Sequence, residues 1–393
     1  MTLYFYLRHF PPYGEPLNDG LKKAVHGLAA AMVANGAEVT VLSEGSSEKD
    51  SSFKTPAGYT VECFNNPIQY ELSFKFPSAL KNYICSHINQ DDLVVLNGIF
   101  HPTIYSISRL LKKQKIPYIV APHDVYHPDI FDKNPHVKLT YWYLLEKRLL
   151  QQARGIQVLE KSQEKWLKQR GIRSPIFEVP NGFLETHIYS ESILRWSKEE
   201  TIKLLYFGRI DTHHKGLDLL ISAFSEVTAA YDTHLTIQGP EKGDKATLQQ
   251  QAELLLKAAN ISFLPPEYIK PSPLVMAEHD IFCLPSRFEG FGMAAMEAMM
   301  VGRVLLVSEE AGIAKYVKAS GCGVVVKPEV SAIRDGLLEL CQRRLEWQEM
   351  GLKGRHYVLE HLGWEKIAVI ALTQYQSLLP HSDSQSSQTR VLS

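Results

Sequence analysis

The chain has 393 residues, 45% of them apolar and 22% charged, with a formal net charge of −1. That length allows two or three domains with sizeable cores, and the near-neutral balance leaves no global electrostatic footprint for nucleic acid. Five scattered cysteines lack CxxC or Cys/His spacing and read as reduced thiols in a cytoplasmic protein, and no apolar run approaches the roughly 18 residues of a membrane span.

The start, M-T-L-Y-F-Y-L-R-H-F, lacks the basic segment and cleavage site of a signal peptide and reads as a first strand at Leu3–Leu7. After the turn-rich P-P-Y-G-E-P-L-N comes an amphipathic helix at Gly20–Asn35. Asp19 suits its N-cap, and Gly20 lets backbone N–H groups approach a phosphate. Strands are expected at Glu38–Leu42, Thr60–Phe64, Leu93–Leu96, Tyr118–Ala121, Ile156–Leu159 and Ile176–Val179, with 44–52 as a loose loop. Helices fall between them at Ser78–Asn89, Pro102–Lys115 and Val137–Ala153. The scheme then repeats, with strands at Lys203–Phe207, Leu235–Gln238, Ile261–Phe263, Ile281–Leu284, Val304–Val307 and Val324–Val326.

This alternation predicts an α/β protein of two doubly wound domains, joined near the turn P-N-G-F at 180–183. The polar, Ser-rich tail at 381–393 is expected to be disordered. Residues 1–180 carry 21 Lys and Arg against 17 Asp and Glu, whereas 181–393 carry 21 against 26. The basic first half suits an anionic acceptor or peripheral contact with an anionic membrane, although a solvated basic face explains it too.

The segment L-P-S-R-F-E-G-F-G-M-A-A-M-E-A-M-M-V-G, 284–302, carries the most specific signal. From about Phe291 it reads as a helix ended by Gly302, which puts Glu289 in the loop at its N-terminus. Glu297 then lies about 9–12 Å further along the axis. A carboxylate in so apolar a helix is costly unless something polar pairs with it. Between the two glutamates, the N–H groups of Gly290, Phe291, Gly292 and Met293 present the positive helix end. The arrangement suits a ligand with polar groups at both ends and negative charge between, as in a sugar nucleotide. Arg209 and Lys215 follow the strand ending at Phe207, where two cations can neutralise a diphosphate. His213 and His214 between them are expected as solvent-exposed loop residues without ligand spacing for a metal.

Residues 285–302 resemble the hallmark P-S-x-x-E-G-F-G-x-x-x-x-E-A-M-A-x-G of the retaining GT-B glycosyltransferases of family 4, the group 1 transferases. L-L-Y-F-G-R-I-D-T-H-H-K-G-L-D-L-L-I-S-A-F at 204–224 resembles the same family's strand, Gly-Arg loop and Lys-Gly helix start. The resemblance runs from the first helix to Trp364. It departs at Met300 and Arg303, where the family usually has a small residue and proline, and at Asp19-Gly20, where it usually has Gly-Gly.

The resemblance implies GT-B architecture, with two Rossmann-like domains facing each other across a cleft. The expected extents are 1–182 for the acceptor-binding domain, 183–363 for the nucleotide-sugar domain and 364–380 for a helix closing back onto the first. It implies retaining, metal-independent and cofactor-free transfer of a hexosyl group from a nucleoside-diphosphate sugar, UDP favoured over GDP. The acceptor would be a glycan, a lipid-linked sugar or a small molecule, reached in the cytoplasm or at the inner membrane face. Arg209 and Lys215 would stabilise the leaving diphosphate, Glu289 would orient the hexose and Glu297 would bind the ribose hydroxyls. Gly20 and 290–293 would supply backbone contacts, and His123, after the strand in P-Y-I-V-A-P-H-D-V-Y-H-P, would contact the hexose near the reacting carbon. Asp124 and His127 could shape the acceptor pocket, and Tyr126 and Phe131 suit stacking on sugar rings. The competing readings are a non-catalytic sugar-nucleotide-binding subunit and a GT-B epimerase.

Overall fold

The computed structural model describes residues 2–11, 17, 19–45, 49–66, 73–183, 185–196, 199–255 and 260–379. The tail at 381–393, and parts of the loops at 11–18 and 44–52, lie outside them.

Two sheets form the frame. The first contains β1 (Thr2–Tyr6), β2 (Glu38–Gly45), β3 (Ser51–Lys54), β4 (Thr60–Asn65), β5 (Leu93–Asn97), β6 (Tyr118–Ala121), β7 (Gly155–Val158) and β8 (Ile176–Glu178). Their order is β3-β4-β2-β1-β5-β6-β7-β8, parallel except for the β3–β4 pair. The second contains β9 (Ile202–Phe207), β10 (Thr233–Gln238), β11 (Ile261–Leu264), β12 (Ile281–Leu284), β13 (Val304–Ser308) and β14 (Gly323–Val326). These run parallel in the order β11-β10-β9-β12-β13-β14. Strands such as β5 and β13 are buried along their whole length, as parallel strands covered on both faces must be. In each sheet the chain reverses its winding once, between β1 and β5 and between β9 and β12. Such switch points leave a crevice at the carboxyl ends of the strands.

Three local expectations are corrected. The segment 44–52 is not uniformly loose: β2 runs on to Gly45, and β3 begins at Ser51. Glu44 is buried because the Tyr6 hydroxyl (2.6 Å) and Asn66 Nδ2 (2.5 Å) donate to its two oxygens. The helix expected over Val137–Ala153 is interrupted by a π-helical turn at Trp142–Glu146, which turns both residues inward. The helix expected from Phe291 starts at Met293, because Gly292 takes φ +101° and packs too closely on Leu284 for a side chain.

The closing segment crosses back to the first sheet. Phe183 bridges Gly363, and the helix Trp364–Ser377 packs on Gly20–Ala34. A Cβ on Gly27 would lie 2.0 Å from Trp364 Nε1, so only glycine admits the indole there. Tyr375 donates to Gln157 Oε1 at 2.5 Å. Among the described residues, no helix is long and apolar enough to cross a membrane.

Candidate active site

The residues singled out from the sequence converge on the two switch points. From the second sheet come the loop after β9, with Arg209 and Lys215, and the loop after β12, with Glu289. From the first come Gly20, beyond β1, and His123, beyond β6. The two sides touch: a Cβ on Gly290 would sit 2.8 Å from the His123 carbonyl oxygen and 3.2 Å from Asp124 Cα. Gln163 Nε2 also reaches across to the Gly290 carbonyl, at 2.6 Å.

Glu289 is held on all sides. Its N–H donates to Glu310 O, its carbonyl accepts from Gly312 N, and its Oε2 accepts from Ser286 Oγ, each at 3.3 Å. Lys215 Nζ donates to the same Oε2. Burial alone would raise the Glu289 carboxyl, but Lys215, His214 and Arg209 bring it below the ordinary carboxylate value. Lys215 is 9% exposed, whereas Arg209 is open to solvent, with Nη2 3.4 Å from His214 Nδ1. Beside them, the N–H groups of Gly290, Phe291, Gly292 and Met293 donate to no group among the described residues. Gly292 and Met293 are among the orphan donors of the helix start, and Gly290 and Phe291 lie in the loop just before it. The Phe291 ring itself is buried in the core, leaving only its backbone for a ligand.

His213 and His214 are not solvent-exposed loop residues. They lie on the short helix Thr212–Lys215, capped by Asp211. His214 is 8% exposed and stacks on Phe288 at 4.4 Å, and burial, with Lys215 adding to it, lowers its pKa to about 3. His213 Nε2 donates to the Asp129 carbonyl at 3.0 Å, and His127 also stacks on Phe288, at 5.7 Å. Phe288 is therefore shared by rings from both domains, a role its apolar character in the motif did not disclose.

His123 adopts φ +59°, a strained conformation for a residue with a Cβ. Asn97 fixes its tautomer. The Asn97 amide nitrogen donates to Tyr6 O (3.0 Å) and Val95 O (3.2 Å), so its oxygen faces His123 Nε2 at 2.8 Å and accepts that proton. His123 Nδ1 is thus the lone-pair nitrogen, buried without a protein partner. Burial lowers the imidazole to about 4, so the ring is neutral near pH 7. Neighbouring Asp124 is pushed up to about 6 by burial and by Glu289, against the pull of its hydrogen bond from Val125 N–H.

Glu297 is 4% exposed, as a carboxylate in an apolar helix requires partners to be. Lys23 Nζ donates to Oε1 at 2.8 Å and Ser272 Oγ to Oε2 at 2.6 Å. Neither partner sits in a recognisable motif. Gly20 stands at the other helix start, where a Cβ would lie 3.5 Å from Met293 Cγ. Asp19 caps that helix by accepting from Lys22 N–H at 2.9 Å. Tyr126 and Phe131 are not sugar-stacking platforms. Both are buried, packed edge-on against Trp142.

Comparison with known proteins agrees with this geometry. Residues 194–356 match the family model described as glycosyl transferases group 1, and residues 18–183 match that of glycosyltransferase family 4. The chain is 24% identical over 379 residues to the phosphatidyl-myo-inositol mannosyltransferase of Mycobacterium tuberculosis, covering 93% of this chain and 95% of that protein. Among solved structures it resembles the sucrose-phosphate synthase from Thermosynechococcus elongatus, with TM-score 0.74 and 18% identity over 96% of this chain and 98% of that one. It also resembles Anabaena HepE in complex with UDP and glucose, with TM-score 0.70 and 16% identity over 96% and 100%.

Proposed function

Since the chain belongs to the group 1 glycosyltransferases, and is a glycosyltransferase of GT-B architecture, we propose that it transfers a hexosyl group with retention from a nucleoside-diphosphate sugar. UDP is favoured as the carrier and GDP is the second choice. The observation that carries this reading is the Lys215–Glu289 pair beside the free N–H groups of Gly290 to Met293, with Arg209 open to the cleft.

In this reading Arg209, Lys215 and the helix start at Met293 meet the charge developing on the leaving diphosphate. Lys215 and the helix start are fixed before the reaction, so little reorganisation of them accompanies it, and no metal is needed. Glu289 accepts hydrogen bonds from hexose hydroxyls and orients the donor. His123, neutral and with a bare Nδ1, accepts another from the hexose near the reacting carbon. Glu297 binds the ribose hydroxyls, and the N-terminus at Gly20 adds a backbone contact to phosphate. The acceptor hydroxyl attacks from the face the diphosphate leaves, within an oxocarbenium-like ion pair. The C1–O bond to the diphosphate breaks, the bond to the acceptor oxygen forms, and the leaving phosphate takes the acceptor's proton. Closure of the cleft excludes water from that ion pair.

The acceptor is a hydroxyl of a glycan, a lipid-linked sugar or a small molecule. The first domain also exposes Val137, Tyr143 and Leu144 beside Lys147 and Arg148, which suits contact with an anionic membrane carrying such a lipid. The test of the reaction is incubation with UDP-, GDP- and ADP-sugars. Slow release of the free nucleoside diphosphate from one of them is expected. Binding of a sugar nucleotide with no release under any condition would overturn the catalytic assignment.

A further inference from the structure

The carboxylate assigned to the ribose is held by a lysine from the opposite domain. Lys23 lies in the first turn of Gly20–Ala34, 274 positions from Glu297, yet its Nζ is 2.8 Å from Oε1. The pair is largely shielded, with side-chain exposures of 22% and 6%. Gly20 and Met293 meet nearby, so two helix N-termini stand side by side. Each carries a positive partial charge, and Lys23 adds a full one. Such a convergence is favourable only around negative charge, and Glu297 supplies one unit of it.

We propose that Lys23 is a donor-binding residue, reaching from the first domain to the donor's diphosphate. This rests on the donor site proposed above. A carboxylate oxygen has two lone pairs, so Glu297 accepts from ribose hydroxyls without expelling Lys23. With the ribose there, the diphosphate enters the space between the two helix starts. The ammonium, a point charge with three N–H donors on a flexible four-carbon stem, then reaches a phosphate oxygen while keeping its bond to Glu297. Because Lys23 and Glu297 lie on helices of opposite domains, a nucleotide held by both bridges the domains. A nucleoside without phosphates gains nothing from Lys23.

The test compares affinities of the full chain for UDP, GDP, uridine and guanosine, in wild type and in Lys23→Met, Lys23→Arg and Lys215→Ala. Lys23→Met should weaken the preferred diphosphate about tenfold, the order of one charge-assisted contact, while the matching nucleoside changes less than about twofold. Lys23→Arg should keep most of the diphosphate affinity. Equal or tighter diphosphate binding by Lys23→Met would overturn the proposal, leaving Lys23 as a latch of the empty site. Equal loss for nucleoside and diphosphate would overturn it too, as the mark of a structural role. Loss in Lys215→Ala without loss in Lys23→Met sinks Lys23 alone, whereas no loss in either sinks the donor site itself.

Discussion

Lys215 and Glu289, 74 positions apart, form an ion pair at the switch point of the second sheet, and Lys215 is the cation that does most to hold the Glu289 carboxylate ionised. Removing either partner strands the other in a poorly solvated site. Glu289→Ala and Lys215→Ala should each lower transfer at least ~100-fold, the usual cost of deleting a preorganised charge contact. Steady-state kinetics beside thermal unfolding check this; full activity in either variant contradicts the site.

Asp124 is expected to make donor binding pH-dependent. Its carboxyl is raised to about 6, so it is neutral at pH 5 and charged at pH 7. The charged form faces the same region as Glu289 and repels a diphosphate. Donor affinity should therefore fall as pH rises from 5 to 7, and Asp124→Asn should flatten that slope. A titration of nucleotide affinity at each pH shows whether the slope survives the substitution.

Gly290 marks a tight backbone contact between the domains. A methyl group there meets the His123 carbonyl at 2.8 Å and Asp124 Cα at 3.2 Å, both backbone atoms that cannot rotate aside. Gly290→Ala should hold the cleft partly open, lowering transfer roughly tenfold or more through a misplaced His123. Small-angle scattering should show a larger radius for the variant than for wild type, and unchanged scattering with unchanged rate would refute the contact.

Glu146 provides a stability test. It is fully buried on the π-helical turn, accepts from Tyr126 OH (2.6 Å) and Phe100 N–H (3.1 Å), and burial raises its carboxyl from 4.5 to about 7. The folded state thus binds a proton more tightly than the unfolded state. Stability then falls as pH rises from about 4.5 to 7, because ionisation is disfavoured in the fold. Glu146→Gln should remove this component, and Tm measured at pH 5 and pH 7.5 in both proteins tests it.

The exposed apolar residues on the first domain predict lipid contact. Tyr143→Ser combined with Leu144→Ser should reduce sedimentation with vesicles of anionic phospholipid several-fold. Transfer to a water-soluble acceptor should be unaffected. Equal sedimentation of both proteins would remove the membrane from the account.

Much of the fold was legible because it is locally encoded. The apolar runs of β5 and β13 announce strands buried on both faces, and Asp19 announces a helix start. Ser51–Lys54 leaves no such trace because this edge strand is polar and half-exposed, so burial imposes no pattern on it. His214 escapes sequence reasoning for a related reason. A histidine beside two cations reads as solvated, and only the Phe288 ring beneath it makes burial favourable.

The site divides along the same line. Sequence alone determined the glutamate pair, the Gly-Arg and Lys-Gly positions and the helix start between them, because those features are set by spacing within one loop or one helix turn. Tertiary structure alone decided that Asn97 holds the His123 tautomer, that Phe288 is shared between domains and that Lys23 reaches Glu297. The first depends on the pairing of neighbouring strands β5 and β6, and the other two on how the two domains face each other. Hydrogen bonds of 2.8 Å between residues so distant in the chain leave no periodic trace in the sequence.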